Sequence, residues 1–590
     1  MGRVATLLRS LRSGKPADTT TNAGSPTWAP PLPPPRAEER IDDEGQYEYD
    51  DGPESDDGLD HGPPDESGPS TEPDFGLENW TDWNNAANAR AAEPDWSDDA
   101  DLAPPPPPPP AISPVATRRA FPVKAVLIGA LALVVAVAGV VTISNRPPGP
   151  PKVWDPQVKP IANFVETERS LFFKHPVPVE YLEDAAFRAR IDKLNGGGSK
   201  SDKAKDAATD DADTAMFRAL GLASGSSSVA NQSDVLTGEG VLAFYSFGDR
   251  KIVVRGTTLD LATKVTLAHE LTHALDDQHF DLVRTRTEAG SSLASLALIE
   301  GNAVAVEQSY IGQLSEADQE TYYRTVEDQL GTYDTNTKDV STALQDLFEA
   351  PYRLGPALIA VIREANGPGA INDALRNPPQ SEEQVLVPTK YLTNDRPKAV
   401  GTPSLTAGET LNADAHHDEP FGAFGLYIVL AARIDPKIAF AAAQGWGGDD
   451  YVQFTKAGQQ CVRMAFAGDA PADTDRIAAA FDQWIATRPA GNPGTVRHGE
   501  LVELTVCDPG AAAATPPTNA HPGTFAFTRA ELVAALLDSS GATKVDPAVV
   551  ECAVDKVAAT VDLAALGQDP STIPADLQSR LVGALTGCKR

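Results

Sequence analysis

Cysteine is scarce in this chain: four occur among 590 residues, and none precedes Cys461. No thiolate is therefore near in sequence to close a structural zinc site around the histidines of the first half. Positive charge is the second shortage. The 49 Lys and Arg face 83 Asp and Glu, a formal net charge of -34, and so acidic a chain argues against a polyanionic partner, nucleic acid included. Long apolar runs are rare as well, and no internal repeat is evident, so the length implies two or more separate domains.

The acid is unevenly spread. The first hundred or so residues carry about two dozen Asp and Glu against fewer than ten Lys and Arg. Stretches such as DDEGQYEYDDGPESDDGLD and PPPPPPP offer too little apolar surface to offset the entropy of ordering the chain. Residues 1–117 are expected to form a disordered, acidic, Pro-rich tail, with Trp80, Trp83 and Trp96 as solvated aromatics.

Ala125 to Ile143 is apolar, uncharged and about long enough to cross a bilayer as one helix. Arg118, Arg119 and Lys124 precede it, so residues 118–146 are expected to be a single transmembrane helix with a basic flank. The implied location is the cell membrane, single-pass, with a cytoplasmic N-terminal tail, extracellular C-terminal domains and the lipid bilayer as a partner. All four cysteines fall on the predicted exterior, where disulfides persist. Pairing within each unit joins Cys461 to Cys507 and Cys552 to Cys588.

Beyond the anchor, Ile161 to Asn195 reads as mostly helical, with a short strand at HPVPVEYL. Lys193 to Ala215 reads as a flexible insertion. VLAFYSFGDRKIVVRG holds two β-prone runs around Gly248 and Asp249, a hairpin signal. Leu261, Val265, Ala268, Leu271 and Leu275 then recur at helical spacing behind an N-cap signal. A second helix spans Ser292 to Gln313, and others are expected at Ser341 to Glu349, Gly355 to Ala365, Phe421 to Arg433 and Ala472 to Thr487. Tyr451 to Phe466 reads as another hairpin. Residues 523–590 form a small helical disulfide module. The fold class is α+β, mostly helical.

The chemistry concentrates in TLAHELTHALDDQHF, Thr266 to Phe280. His269 and His273 are four apart on a helix, so both imidazoles reach one ion. Glu270 stands beside that pair, placed to take a proton from a water and pass it to a leaving amine. Two residues compete as third ligand. His279 has the spacing of HExxHxxGxxH, but Asp276 occupies the glycine position where such a helix must turn sharply. Glu300, in IEGNA, is followed by Gly301 and Ala303, small enough for its helix to approach the first. Two imidazoles and a carboxylate make a catalytic zinc set, so the expected Zn2+ ligands are His269, His273 and Glu300. Asp277 is expected to orient a ligand from behind.

HELTHALDD resembles the active-site helix of thermolysin-type metallopeptidases, which carry HELTHA followed by an Asp at the position of Asp277. More widely, FVETERSLFFKHPVPVEYL, HELTHALDDQHFDL, LIEGNA and GWGGDDY resemble a group of largely uncharacterised, secreted or anchored bacterial and archaeal proteins classed as zinc metallopeptidases. The resemblance covers roughly Val153 to Thr487. It implies a zincin-like metallopeptidase domain, placed at residues 153–508, and an extracytoplasmic site. The chain departs from that group at Val387-Pro388, where the relatives carry His-Pro.

The expected activity is a membrane-anchored, zinc-dependent peptidase with Glu270 as general base and a protein or peptide outside the membrane as substrate. The alternative is a catalytically inactive zincin-like binding protein of the cell envelope. The strand at Lys251 to Arg255 is expected to hold an extended peptide by its edge. His416, His417 and Tyr310 are candidates for steadying the oxyanion.

Overall fold

The computed structural model describes residues 150–588, apart from 197–199, 239–240, 413–418, 489–493, 515–516, 540–543, 569–573 and 575. The expected tail and the expected membrane span lie outside the described residues. Among the described residues no helix is long and apolar enough to cross a membrane. The most apolar of them, Ala423–Ala431, has 9 residues, against the ~20 that a bilayer requires. The placement as a single-pass protein of the cell membrane, cytoplasmic on one side and extracellular on the other, is corrected accordingly.

Helices dominate, and the strands make two sheets. β1 (Val179–Leu182), β2 (Ala243–Ser246) and β3 (Lys251–Arg255) form the first, in the order β1-β3-β2. β1 runs parallel to β3 and β2 antiparallel to it. The hairpin expected around Gly248 forms, with Arg250 at φ 52° closing its turn. β3 is the central strand, so the edge expected of it belongs to β2. The second sheet is antiparallel, in the order β4-β5-β6-β8-β7, from β4 (Glu409–Leu411), β5 (Trp446–Lys456), β6 (Gln459–Gly468), β7 (Thr495–Arg497) and β8 (Val502–Cys507). Cys461 and Cys507 are cross-strand partners and are disulfide-bonded.

Against β2 and β3 lies the histidine helix, Leu261–Phe280. Asp260 caps it, accepting from the Thr263 amide at 2.8 Å. It is buried on nearly every side, so it is a core helix. After the short helix Leu282–Glu288 comes the glutamate helix, Ser292–Gly312, capped by Ser291. The segments expected as two helices at 341–349 and 355–365 are one, Thr342–Asn366, which runs through Pro351 and Pro356. Burial against neighbouring helices outweighs the hydrogen bonds those prolines remove. Most of the expected insertion after Lys193 is likewise helix, Lys200–Leu220, whose Ala, Lys and Asp carry no turn-forming Gly or Pro.

The close approach predicted at Gly301 exists but joins a different partner. A Cβ on Gly301 would lie 2.4 Å from the Gly355 carbonyl carbon, and one on Gly355 2.3 Å from the Ala297 oxygen. The glutamate helix therefore crosses Thr342–Asn366 backbone to backbone. Gly301 is one residue from Glu300, about 100° round the helix, and so faces another neighbour.

Residues 523–590 are not a separate body. Their helices share the main hydrophobic core and brace the Thr342–Asn366 helix. Arg353 bonds Glu531 at 2.6 Å and lies over the Phe527 ring, and Asp346 accepts from the Gly523 amide at 2.7 Å. Cys552 and Cys588 are disulfide-bonded, tying the last helix, Leu577–Cys588, to Pro547–Ala558.

Candidate metal centre

His269, His273 and Glu300 converge, all buried, and could hold a metal ion; their donor atoms lie within 4.8 Å of one another. Glu300 Oε2 is 3.1 Å from His269 Nε2 and 3.4 Å from His273 Nε2. The two imidazoles come from successive turns of one helix, their rings 4.7 Å apart. Apart from that 3.4 Å approach, His273 Nε2 is buried without a hydrogen-bond partner among the described residues, which fits a nitrogen built to ligate. Two neutral nitrogens and one carboxylate oxygen suit zinc and several other divalent ions.

Electrostatics favour a positive charge at this point. Burial works to raise the Glu300 pKa, but the two imidazoles outweigh it and hold the carboxyl well below its usual range. Burial works against protonating His269, yet Glu300 and Glu307 outweigh it and its pKa stands well above the ordinary value. Each group is stabilised in its charged form by the other.

Glu270 is 5% exposed and turns one oxygen away from the cluster: Oε2 accepts from the Tyr245 amide at 2.7 Å. That amide points to the open edge of β2, because the Arg255 amide bonds Leu242 and the strand's bonding alternates. Burial pushes the Glu270 carboxyl up, and the nearby histidines pull it down.

Asp277 hydrogen-bonds neither histidine. It accepts from the Tyr245 hydroxyl at 2.9 Å and the Leu282 amide at 3.1 Å, fixing β2 and the helix end. The carboxylate that meets a histidine from behind is that of Glu307, whose Oε2 is 3.1 Å from His269 Nδ1. Glu307 is seven residues after Glu300 on the same helix face, a spacing that was legible. His279 is turned outward, its Nε2 2.8 Å from the Phe172 carbonyl. Asp276, at the glycine position of the rival pattern, is buried in a pair with Arg169 at 2.8 Å and accepts from Asn302 at 2.6 Å.

Sequence reasoning missed Tyr352. Its ring stacks on His269 at 6.3 Å and 25°. Burial, then Glu300, Glu270 and Glu307, raise its pKa well above the ordinary value, so it keeps its proton. Tyr310 packs edge-on against Phe164 instead, and His416 and His417 lie outside the described residues. Val387 packs against the core. The GWGGDD stretch is structural: Asp449 accepts from Trp446 Nε1 at 2.7 Å and from the amides of Phe421 and Gly422 at 2.7 and 2.8 Å.

No family model, curated protein or solved structure matches this chain.

Proposed function

We propose that the protein is a zinc-dependent peptidase with a zincin-like catalytic unit, in which His269, His273 and Glu300 hold the ion and Glu270 is the general base. The observation that carries this is the meeting of those three donors with Glu270 directly beside them. Zinc bound there supplies Lewis acidity toward a water molecule and a peptide carbonyl.

The chain's own groups do the rest. With Oε2 engaged by Tyr245, Glu270 has Oε1 left to take a proton from water and hand it to the leaving nitrogen. Its raised proton affinity, a consequence of burial, suits that exchange. Tyr352 keeps its O–H and donates it to the carbonyl oxygen as negative charge grows there. Glu307 holds His269 in one ring orientation. The carbonyl of Tyr245, on the outward edge of β2, pairs with an extended protein or peptide substrate.

The test is zinc content and peptide hydrolysis by the purified chain, as wild type and Glu270→Gln. Both should contain zinc, and turnover should fall by about 100-fold or more in the variant. Zinc in the wild type without hydrolysis of a broad peptide library would overturn the peptidase reading in favour of the binding protein.

A further inference from the structure

Tyr245 is attached to the histidine helix at two points. Its amide donates to Glu270 Oε2 at 2.7 Å, and its hydroxyl donates to Asp277 Oδ2 at 2.9 Å. Asp277 follows Glu270 by seven residues, two turns of one helix, so both carboxylates lie on the face turned to β2. The Asp277 side chain is itself fixed, because its Oδ1 accepts from the Leu282 amide at 3.1 Å.

The general base depends on this attachment. The Glu270 side chain makes one hydrogen bond among the described residues, the one from the Tyr245 amide, so the direction of its carboxylate follows the position of the strand. That strand is lightly held: β2 has 4 residues and bonds a neighbour, β3, on one side only. Through Tyr245 and Arg250 the hairpin also borders a cavity of about 460 Å³, whose wall includes Lys174, Asp277, Gln278 and Phe280. Packing around Tyr245 is incomplete on that side, which leaves the bond to Asp277 to seat the ring there. Asp277 itself bonds neither a metal ligand nor a reacting group. Any part it plays in the chemistry runs through Tyr245.

We propose that Asp277 is a positioning residue for the general base: it seats the Tyr245 hydroxyl, and thereby the strand whose amide orients the Glu270 carboxylate. This rests on the peptidase reading of the metal centre. Asp277 exchanges no proton with the substrate.

The test measures kcat and KM of the zinc-loaded full chain on a quenched fluorescent peptide that wild type cleaves, with kcat expressed per bound zinc. Tyr245→Phe and Asp277→Ala should each lower kcat about tenfold or more. KM should change less, because the substrate pairs with β2 and shifts with it. The double variant should be no slower than Asp277→Ala alone, the mark of two residues acting in series. Asp277→Asn should restore kcat, since its oxygen accepts from the Leu282 amide and its NH2 group donates to the Tyr245 oxygen. A purely structural role would lower Tm or zinc content and leave kcat per zinc unchanged, which would overturn the proposal. Additive losses in the double variant, or a rise in KM alone, would overturn it as well. Hydrogen exchange gives a reading without turnover: the β2 amides should exchange faster in Asp277→Ala than in wild type and Asp277→Asn, and equal rates in all three would sink the proposal. A zinc-bearing wild type that cleaves no peptide fails the peptidase reading itself and takes this proposal with it, whereas cleavage with unchanged kcat in the variants rejects this proposal alone.

Discussion

Glu300 and His279 were the rival third donors, and their surroundings differ sharply. Glu300 is 2% exposed with an imidazole nitrogen on either side, while His279 is turned to a backbone carbonyl. Glu300→Ala is expected to release the metal and His279→Ala to retain it, as read by metal analysis of the two purified variants. Retention by the first and loss by the second would move the centre to another ligand set. The histidine pair and Glu300 were legible because donor chemistry and helical spacing coincide in a short run of sequence. Glu307 obeyed the same spacing and was overlooked. Tyr352 had no local signal at all, since it reaches His269 only through a helix crossing.

The element that matters most is the crossing of Ser292–Gly312 with Thr342–Asn366. It holds Tyr352, one turn before Gly355, over His269. In Gly355→Ala the new Cβ meets backbone, the Ala297 oxygen at 2.3 Å and Gly301 Cα at 2.7 Å, so the helices must part. A loss of about 1–3 kcal/mol is expected, with turnover falling although zinc remains bound. Gly331→Ala is the control, since nothing lies within 4 Å of its Cβ, and a mid-helix Gly replaced by Ala gains roughly 0.5–1 kcal/mol. Thermal melts and turnover of the two variants decide the matter; equal behaviour would mean that the crossing is slack. Element types were largely readable from periodicity. The errors have two causes: tertiary packing overrode local signals at Pro351 and Pro356, whereas after Lys193 the run of glycines masked the helix-forming residues that follow it.

At the scale of the whole molecule, buried carboxyls govern the response to pH. The helix Ala423–Ala431 has its first amides met by two of them, Glu382 at 2.9 Å from the Phe424 nitrogen and Asp449 at 2.8 Å from that of Gly422. Burial, only partly offset by those amides, pushes Glu382 up to about 8 and Asp449 to about 6. Unfolded, both ionise near the ordinary 4.5 and 3.8. Between those values the native state binds more protons than the unfolded one, so stability falls as pH rises. Tm of the chelator-treated protein should therefore decline from about pH 5 to about pH 8, and Glu382→Gln should flatten the slope by up to ~1.4 kcal/mol per pH unit. Calorimetry across that window would reject the account if Tm climbed with pH or if the variant kept the full slope. In the sequence GWGGDD served only as a stretch that carries the resemblance, and its Asp449 anchors a helix. The merging of residues 523–590 with the rest was equally hidden, since their apolar faces do not say what they pack against.

The disulfides bear on which metals the centre accepts. With Cys461 joined to Cys507 and Cys552 to Cys588, every thiol of the chain is spent. Soft cations such as Cu(I) and Cd(II), which seek thiolate, find none in the protein. Selection among the remaining divalent ions rests with two imidazoles and a carboxylate. The identity of an ion held there would thus follow the supply in the surroundings and the room around His269, His273 and Glu300, with no contribution from thiolate affinity.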